Sequence, residues 1–148
     1  MRPSWLLALA LMLAAGNAPA ACPSHALQEA LTELQSATTE EFRESAANTA
    51  FTIVDAMSDE DVACVTDAQV DAVAQLLFAA RTPTRAFGAQ TLGRLGARAA
   101  RAVPALRQSR FIEEAPVWEI INSSVPLTSF IDQAIENIEA GQRAPSIF

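Results

Sequence analysis

The chain has 148 residues, with 10 basic and 17 acidic side chains and a net charge of −7. All ten basic residues are arginine, and there are only one histidine and two cysteines. The acidic balance and the absence of aromatic residues among the basic ones argue against nucleic-acid binding. A single histidine without a suitably spaced serine or cysteine leaves histidine-based catalysis unsupported, so we predict no enzyme and no catalytic residues.

The first twenty residues have the layout of a secretory signal peptide. Arg2 gives a positive start, and residues 5–15 form an apolar run that is too short to span a bilayer. Ala18-Pro19-Ala20 then places small residues at the positions that a signal peptidase inspects. We predict cleavage after Ala20 and a periplasmic or secreted protein.

The two cysteines, Cys22 and Cys64, both lie in the predicted mature chain. In an oxidising compartment an even number of cysteines favours a disulfide, so we expect these two to pair. Together with His25 they would make only a weak metal site, and we predict no metal and no cofactor. A lipid anchor on Cys22 is disfavoured, because Pro19 stands where a lipoprotein signal has a branched apolar residue.

Helical signals begin at Pro23, which suits the first turn of a helix. The apolar residues of this first helix share one face: Leu27, Leu31 and Leu34. Thr38 and Glu41 have capping-box spacing and predict the start of a second helix. Its apolar stripe consists of Phe42, Ala46, Ala50, Ile53, Val54 and Met57.

Two further capping patterns follow, Ser58 with Asp61 and Thr66 with Gln69. The first predicts a short turn towards Cys64. The second predicts a helix with its apolar face formed by Val70, Val73, Leu77 and Phe78.

Thr82-Pro83 predicts another helix start, as a cap followed by a proline in the first turn, and Gly96 is placed to end that helix. The next helix runs through Ala99, Val103 and Leu106, with Pro104 near its beginning. After a short apolar piece opened by Pro116, the last helix has a strongly periodic face: Leu127, Phe130, Ile131, Ala134, Ile135 and Ile138.

These elements predict an all-α protein with no strand and no transmembrane segment after the signal. We expect one helical domain over residues 21–141 and a flexible tail over residues 142–148. Short connections make neighbouring helices antiparallel, which leaves two architectures open: a short stack of helical hairpins and a compact helical bundle.

The stretch Arg85–Leu106 combines small residues, two Leu-Gly steps and a Val-Pro-Ala-Leu sequence. The residues that carry this pattern are Ala89, Leu92, Gly93, Leu95, Gly96, Ala99, Ala102, Val103, Pro104, Ala105 and Leu106. The stretch resembles a HEAT-like repeat, in which small residues allow two helices to approach closely. The resemblance implies a short α-solenoid whose extended surface binds other proteins.

Positive charge is concentrated in one segment of the predicted mature chain. Residues 21–80 carry −10, residues 81–110 carry +7 and residues 111–148 carry −5. One interpretation is that the arginines neutralise acidic neighbours in weak surface ion pairs. The other is that they face an acidic partner protein or a lipid head group.

The candidate partner surface under the second interpretation comprises Arg94, Arg98 and Arg101, with Trp118 as an apolar anchor if it is exposed. The predicted function is therefore that of an exported protein–protein interaction module. The main alternative is an acidic antitoxin or immunity-type protein that covers a basic toxin, steered by charge. A small-ligand carrier or an enzyme is a further alternative, which would require a pocket with convergent polar groups.

Overall fold

The computed structural model describes residues 24–112 and 126–146, and this part of the chain is all-α without a strand, which confirms the predicted fold class. The α-helices are α1 (Ser24–Ser36), α2 (Glu40–Asp55), α3 (Asp59–Ala63), α4 (Asp67–Gln75), α5 (Thr82–Leu95), α6 (Val103–Ser109) and α7 (Leu127–Glu139). Two 3-10 helices, Leu76–Phe78 and Gly96–Ala102, follow α4 and α5. None of the described helices combines the length and apolar character that a bilayer span requires.

Side-chain caps begin three of these helices. Both predicted capping boxes at α3 and α4 are confirmed, with Ser58 and Thr66 accepting hydrogen bonds from backbone N–H groups three residues later. At α2 the cap is Thr39, one residue later than predicted, and its hydroxyl accepts from the Phe42 N–H at 3.2 Å. Adjacent threonines compete for this role, and the sequence spacing alone does not distinguish them.

Helix α5 is the centre of the packing. It contacts α2, α4, α7 and both 3-10 helices, and all its residues except Phe87 and Gln90 are buried. Small residues permit this close approach: a Cβ added to Gly88 would lie 2.8 Å from the Leu76 Cβ. Helix α5 begins one residue earlier than predicted, because Arg81 and not Thr82 occupies the N-cap position.

The chain reverses at Gly96, as predicted. Gly96 has a φ of 57°, which residues with a Cβ rarely adopt. The expected single helix through Ala99 and Leu106 is divided, because a 3-10 helix precedes α6 and Pro104 lies in the first turn of α6. Proline has no N–H to donate and its ring would clash with a preceding helical turn, so Pro104 fits the first turn of α6 but not the interior of one longer helix.

Two predictions differ from the structure: the burial of Phe42 and Phe78, and the flexibility of the C-terminal tail. Phe42, predicted in the apolar stripe of α2, is 68% exposed, and Phe78 is also exposed. Residues 142–146, predicted within a flexible tail, are hydrogen-bonded to the helices: the Ala144 N–H donates to the Gly93 carbonyl at 2.9 Å. Arg143 provides further contacts, described below.

Candidate interaction surface

Arg94, predicted to face a partner, is buried in the last turn of α5 and only 9% exposed. Its Nε lies 2.8 Å from Asp55 Oδ1, and its Nη2 donates to the Asp55 carbonyl at 2.8 Å. Its Nη1 donates to the carbonyl of Ala144. Arg94 therefore joins α2, α5 and the C-terminal segment, and its guanidinium group faces the protein interior.

Arg98 and Arg101, on the second 3-10 helix, bind carboxylates at the start of α4. Arg98 Nη2 lies 2.9 Å from Asp67 Oδ1, and Arg101 Nη1 lies 2.8 Å from Asp67 Oδ2. Arg101 also makes a bidentate pair with Asp71, at 2.8 and 3.0 Å. The hydrogen bond from Arg98 is the main cause that holds the pKa of Asp67 below its ordinary value, followed by the charge of Arg101.

Other arginines of the basic segment have similar partners. The Nη2 of Arg81 lies 3.0 Å from Glu44, and the Nε of Arg110 lies 2.7 Å from Asp132. Arg107 pairs with Glu139. The carboxylates that pair with arginines 81–110 thus come from the acidic segments before and after them, which is the arrangement expected for internal neutralisation.

Arg143 is a structural residue that the sequence analysis missed. Its Nε donates to the Arg94 carbonyl at 2.7 Å, and its two Nη atoms donate to the Met57 carbonyl at 2.8 Å and the Val54 carbonyl at 3.2 Å. These carbonyls lie at or just beyond the C-terminal ends of α5 and α2, where intrahelical donors are lacking. Local spacing contains no signal for contacts over such sequence distances.

Pairing the arginines internally leaves acidic side chains on the surface of α1 and α2. Phe42 borders a shallow depression together with Glu33 and Ser45, and Ser45 also borders a second depression that contains Glu41 and Glu44. We call these five residues the acidic face. Its two depressions are adjacent, because they share Ser45.

Charge on the acidic face is only partly compensated. Glu44 pairs with Arg81, whereas Glu33 and Glu41 have no arginine within ion-pair distance among the described residues. The exposed phenyl ring of Phe42 therefore shares its depression with the unpaired carboxylate of Glu33, and Glu41 lines the adjacent depression. Exposed aromatic residues surrounded by polar groups are typical of protein-binding surfaces.

An apolar groove of about 430 Å³ lies on the adjacent side of the same end of the molecule. Its walls include Leu34 from α1, Arg43 from α2 and the exposed Phe78 from the first 3-10 helix. Leu34 and Glu33 are consecutive in α1, so the groove adjoins the acidic face. This end of the molecule combines carboxylates with two exposed phenyl rings.

Several predicted sites involve residues outside the described part of the chain. The signal peptide, Cys22 and Trp118 all lie there. The described part contains no free cysteine, and the pairing of Cys64 with Cys22 stays a prediction. His25 is exposed and lies 3.2 Å from Glu29 on the next turn of α1.

Among residues 24–112 and 126–146, no three histidine, cysteine or acidic side chains are grouped closely enough to hold a metal ion. No protein-family model, no curated protein sequence and no solved structure matches this chain. A function for it therefore has to be argued from its own side chains.

Proposed function

We propose that the protein is an exported helical interaction module, built on a HEAT-like packing of residues 85–106, and that its acidic face binds a basic partner protein. The observation that carries this proposal is the location of charge. Arg94, Arg98 and Arg101 bind carboxylates of the chain itself, whereas Glu33 and Glu41 flank the exposed Phe42. An acidic partner of the arginines would have to displace these internal pairs.

The location of charge also favours a more specific function, that of an antitoxin or immunity-type protein. A protein that covers a basic toxin needs an acidic surface with an apolar anchor. Opposite charges accelerate the encounter, and a desolvated aromatic side chain slows dissociation. The acidic face meets both requirements, because it carries the carboxylates of Glu33 and Glu41 and the exposed phenyl ring of Phe42.

The test compares two charge-matched variants in a pull-down from the envelope of the producing cell. The face variant carries Glu33→Lys, Glu41→Lys and Phe42→Ala. The control variant carries Glu60→Lys, Glu136→Lys and Phe111→Ala, which change the same residue types at exposed positions elsewhere. We expect the wild type and the control to retain a basic protein that the face variant loses.

Quantitatively, the Phe42→Ala change alone should weaken binding of that protein by roughly thirtyfold, because truncating an aromatic hot spot costs about 2 kcal/mol. The association rate of the wild type with that protein should fall as the salt concentration is raised from about 50 to about 500 mM, because ions screen the electrostatic attraction between the two proteins. Equal capture by the face and control variants, with both folded by circular dichroism, would contradict the proposal.

A further inference from the structure

A second cavity, of about 320 Å³, lies between α2, α5, α7 and the C-terminal segment. Its walls are formed by Phe51 of α2, Gln90 and Arg94 of α5, Phe130 and Gln133 of α7, and Ala144 to Ser146. We call it the tail pocket. It shares no residue with the acidic face, and its volume is within the range of small-molecule sites.

The body of the tail pocket is apolar. Phe51 is buried and packs against Phe87 with ring centroids 6.2 Å apart, which holds its ring in place. Phe130, opposite on α7, is only partly buried, and Ala89 and Ala134 complete the apolar wall. Small residues at these two positions leave room for a ring-sized group between the two phenylalanines.

Charge inside the tail pocket is already balanced. Arg94 is paired with Asp55, with its Nε 2.8 Å from Asp55 Oδ1, its Nη1 and Nη2 donate to backbone carbonyls, and Asp55 Oδ2 accepts a hydrogen bond from Ser146 at 2.9 Å. An anionic ligand would be opposed by Asp55, and a cationic ligand by Arg94. Burying either without a partner of its own is unfavourable.

The remaining polar groups of the pocket are neutral. The side-chain amides of Gln90 and Gln133 make no hydrogen bond within the described residues, and both line the cavity. Each amide offers a donor and an acceptor, which complements a ligand that carries an amide or carbonyl group of its own. The described residues of the pocket therefore combine an aromatic body with two amides and no unpaired charge.

We propose that the tail pocket binds a small uncharged molecule that contains one ring and one amide or carbonyl group. This inference does not rest on the proposed function, because it uses a different surface. The probe is benzamide, and its two isosteric controls are benzoate, which is anionic, and benzamidine, which is cationic. The three have nearly the same shape but differ in charge and in hydrogen bonding: benzoate only accepts and benzamidine only donates, whereas benzamide does both.

Binding is followed by nuclear magnetic resonance on the full mature chain, through the side-chain amide signals of Gln90 and Gln133 and, in every variant, through the backbone amide signals of Ala89 and Ala134, which line the same pocket. We expect saturable shifts with benzamide. Benzoate and benzamidine should bind at least about tenfold more weakly, because each would bring a charge without a partner into the pocket. Shifts confined to other residues, or equal affinity for all three probes, would overturn the proposal.

A variant pair tests the two amides. Gln90→Leu with Gln133→Leu nearly keeps the size of both side chains and should weaken benzamide binding about thirtyfold, as two hydrogen bonds of about 1 kcal/mol each would imply. Gln108→Leu, an exposed glutamine of α6 outside the pocket, should leave the affinity unchanged. Unchanged affinity in the double variant would also overturn the proposal, and amide spectra of both variants verify the fold.

Discussion

Asp67 shows how a single exposed carboxylate connects separate parts of the chain. It begins α4, yet both its oxygens face arginines of the second 3-10 helix, Arg98 and Arg101. The hydrogen bond from Arg98 and the charge of Arg101 lower the pKa of Asp67 from its ordinary value of 3.8. Because the pKa is lower in the folded state, ionised Asp67 stabilises the fold above about pH 3.8, and this contribution is lost as the pH falls through the folded pKa.

We therefore predict that Asp67 titrates below 3.8 in the folded protein, and that Arg98→Gln raises its pKa because the main hydrogen bond is removed. Carbon-13 resonances of the side-chain carboxyl groups measure this directly. Arg107→Gln, which alters an ion pair between α6 and α7, should not change the titration of Asp67. A wild-type midpoint at or above 3.8 would refute the assignment.

The Arg94–Asp55 pair is of a different kind, because both partners are buried. Removing one partner leaves the other charge uncompensated in the protein interior. We predict that Arg94→Ala and Asp55→Ala each lower the free energy of unfolding by about 3–5 kcal/mol. Urea denaturation of the single and double variants measures the coupling between them.

The exposed pair of Arg107 with Glu139 is the matched control. Arg107→Ala should lower the free energy of unfolding by less than about 1 kcal/mol, since ion pairs in water contribute little. If the buried and exposed arginines proved equally costly to remove, the structural role assigned to Arg94 would be wrong.

At the scale of helices, local signals predicted most of what is observed. The capping boxes of α3 and α4, the proline of α5 and the face of α7 all depend on residues within a few positions of one another. The starts of α2 and α5 were displaced by one residue, where neighbouring residues offer competing caps. The 3-10 helix Gly96–Ala102 was missed, because its α-type spacing of alanines does not distinguish the two helix types.

Gly96 provides the clearest test at this scale. Besides its positive φ, a Cβ at this position would lie 2.8 Å from the Gln142 carbonyl oxygen. We predict that Gly96→Ala lowers the free energy of unfolding by about 2–3 kcal/mol, since backbone strain and a clash with the C-terminal segment combine. Thermal or urea denaturation measures the change.

Gly141→Ala separates these two causes. Gly141 also has a positive φ, 69°, but an added Cβ would meet nothing within 4 Å. This variant should cost about 1 kcal/mol, the cost of the backbone conformation alone. Equal effects at the two glycines would show that the contact with Gln142 is unimportant.

At the scale of the whole molecule, the sequence predicts how charge is divided along the chain, but it does not predict which arginines and carboxylates pair in space. The partners of Arg94 and Arg101 lie 39 and 30 residues away, beyond the range of any local pattern. Phe42 was predicted to be buried because it continues the apolar stripe of α2. Within residues 24–112 and 126–146 no helix covers Phe42, so helical periodicity alone could not reveal the candidate surface.

The predicted Cys22–Cys64 disulfide would constrain the whole N-terminal half. Closing a loop of about 40 residues should stabilise the fold by about 4 kcal/mol in the chain-entropy model. We expect Cys64→Ser to lower the free energy of unfolding by that amount in protein taken from an oxidising compartment. Thiol titration of the unfolded wild type should find no thiol, and two titratable thiols would refute the pairing.

The contacts of Arg143 also order events during synthesis. Its guanidinium group binds the carbonyl oxygens of Met57 and Val54, which precede it by 86 and 89 residues. All residues from Val54 to Arg143 must leave the ribosome before the ends of α2 and α5 acquire these donors. Contacts across such distances carry a high loop-closure cost and form late in folding. The ends of α2 and α5 in the nascent chain thus lack these hydrogen bonds until Arg143 has been synthesised.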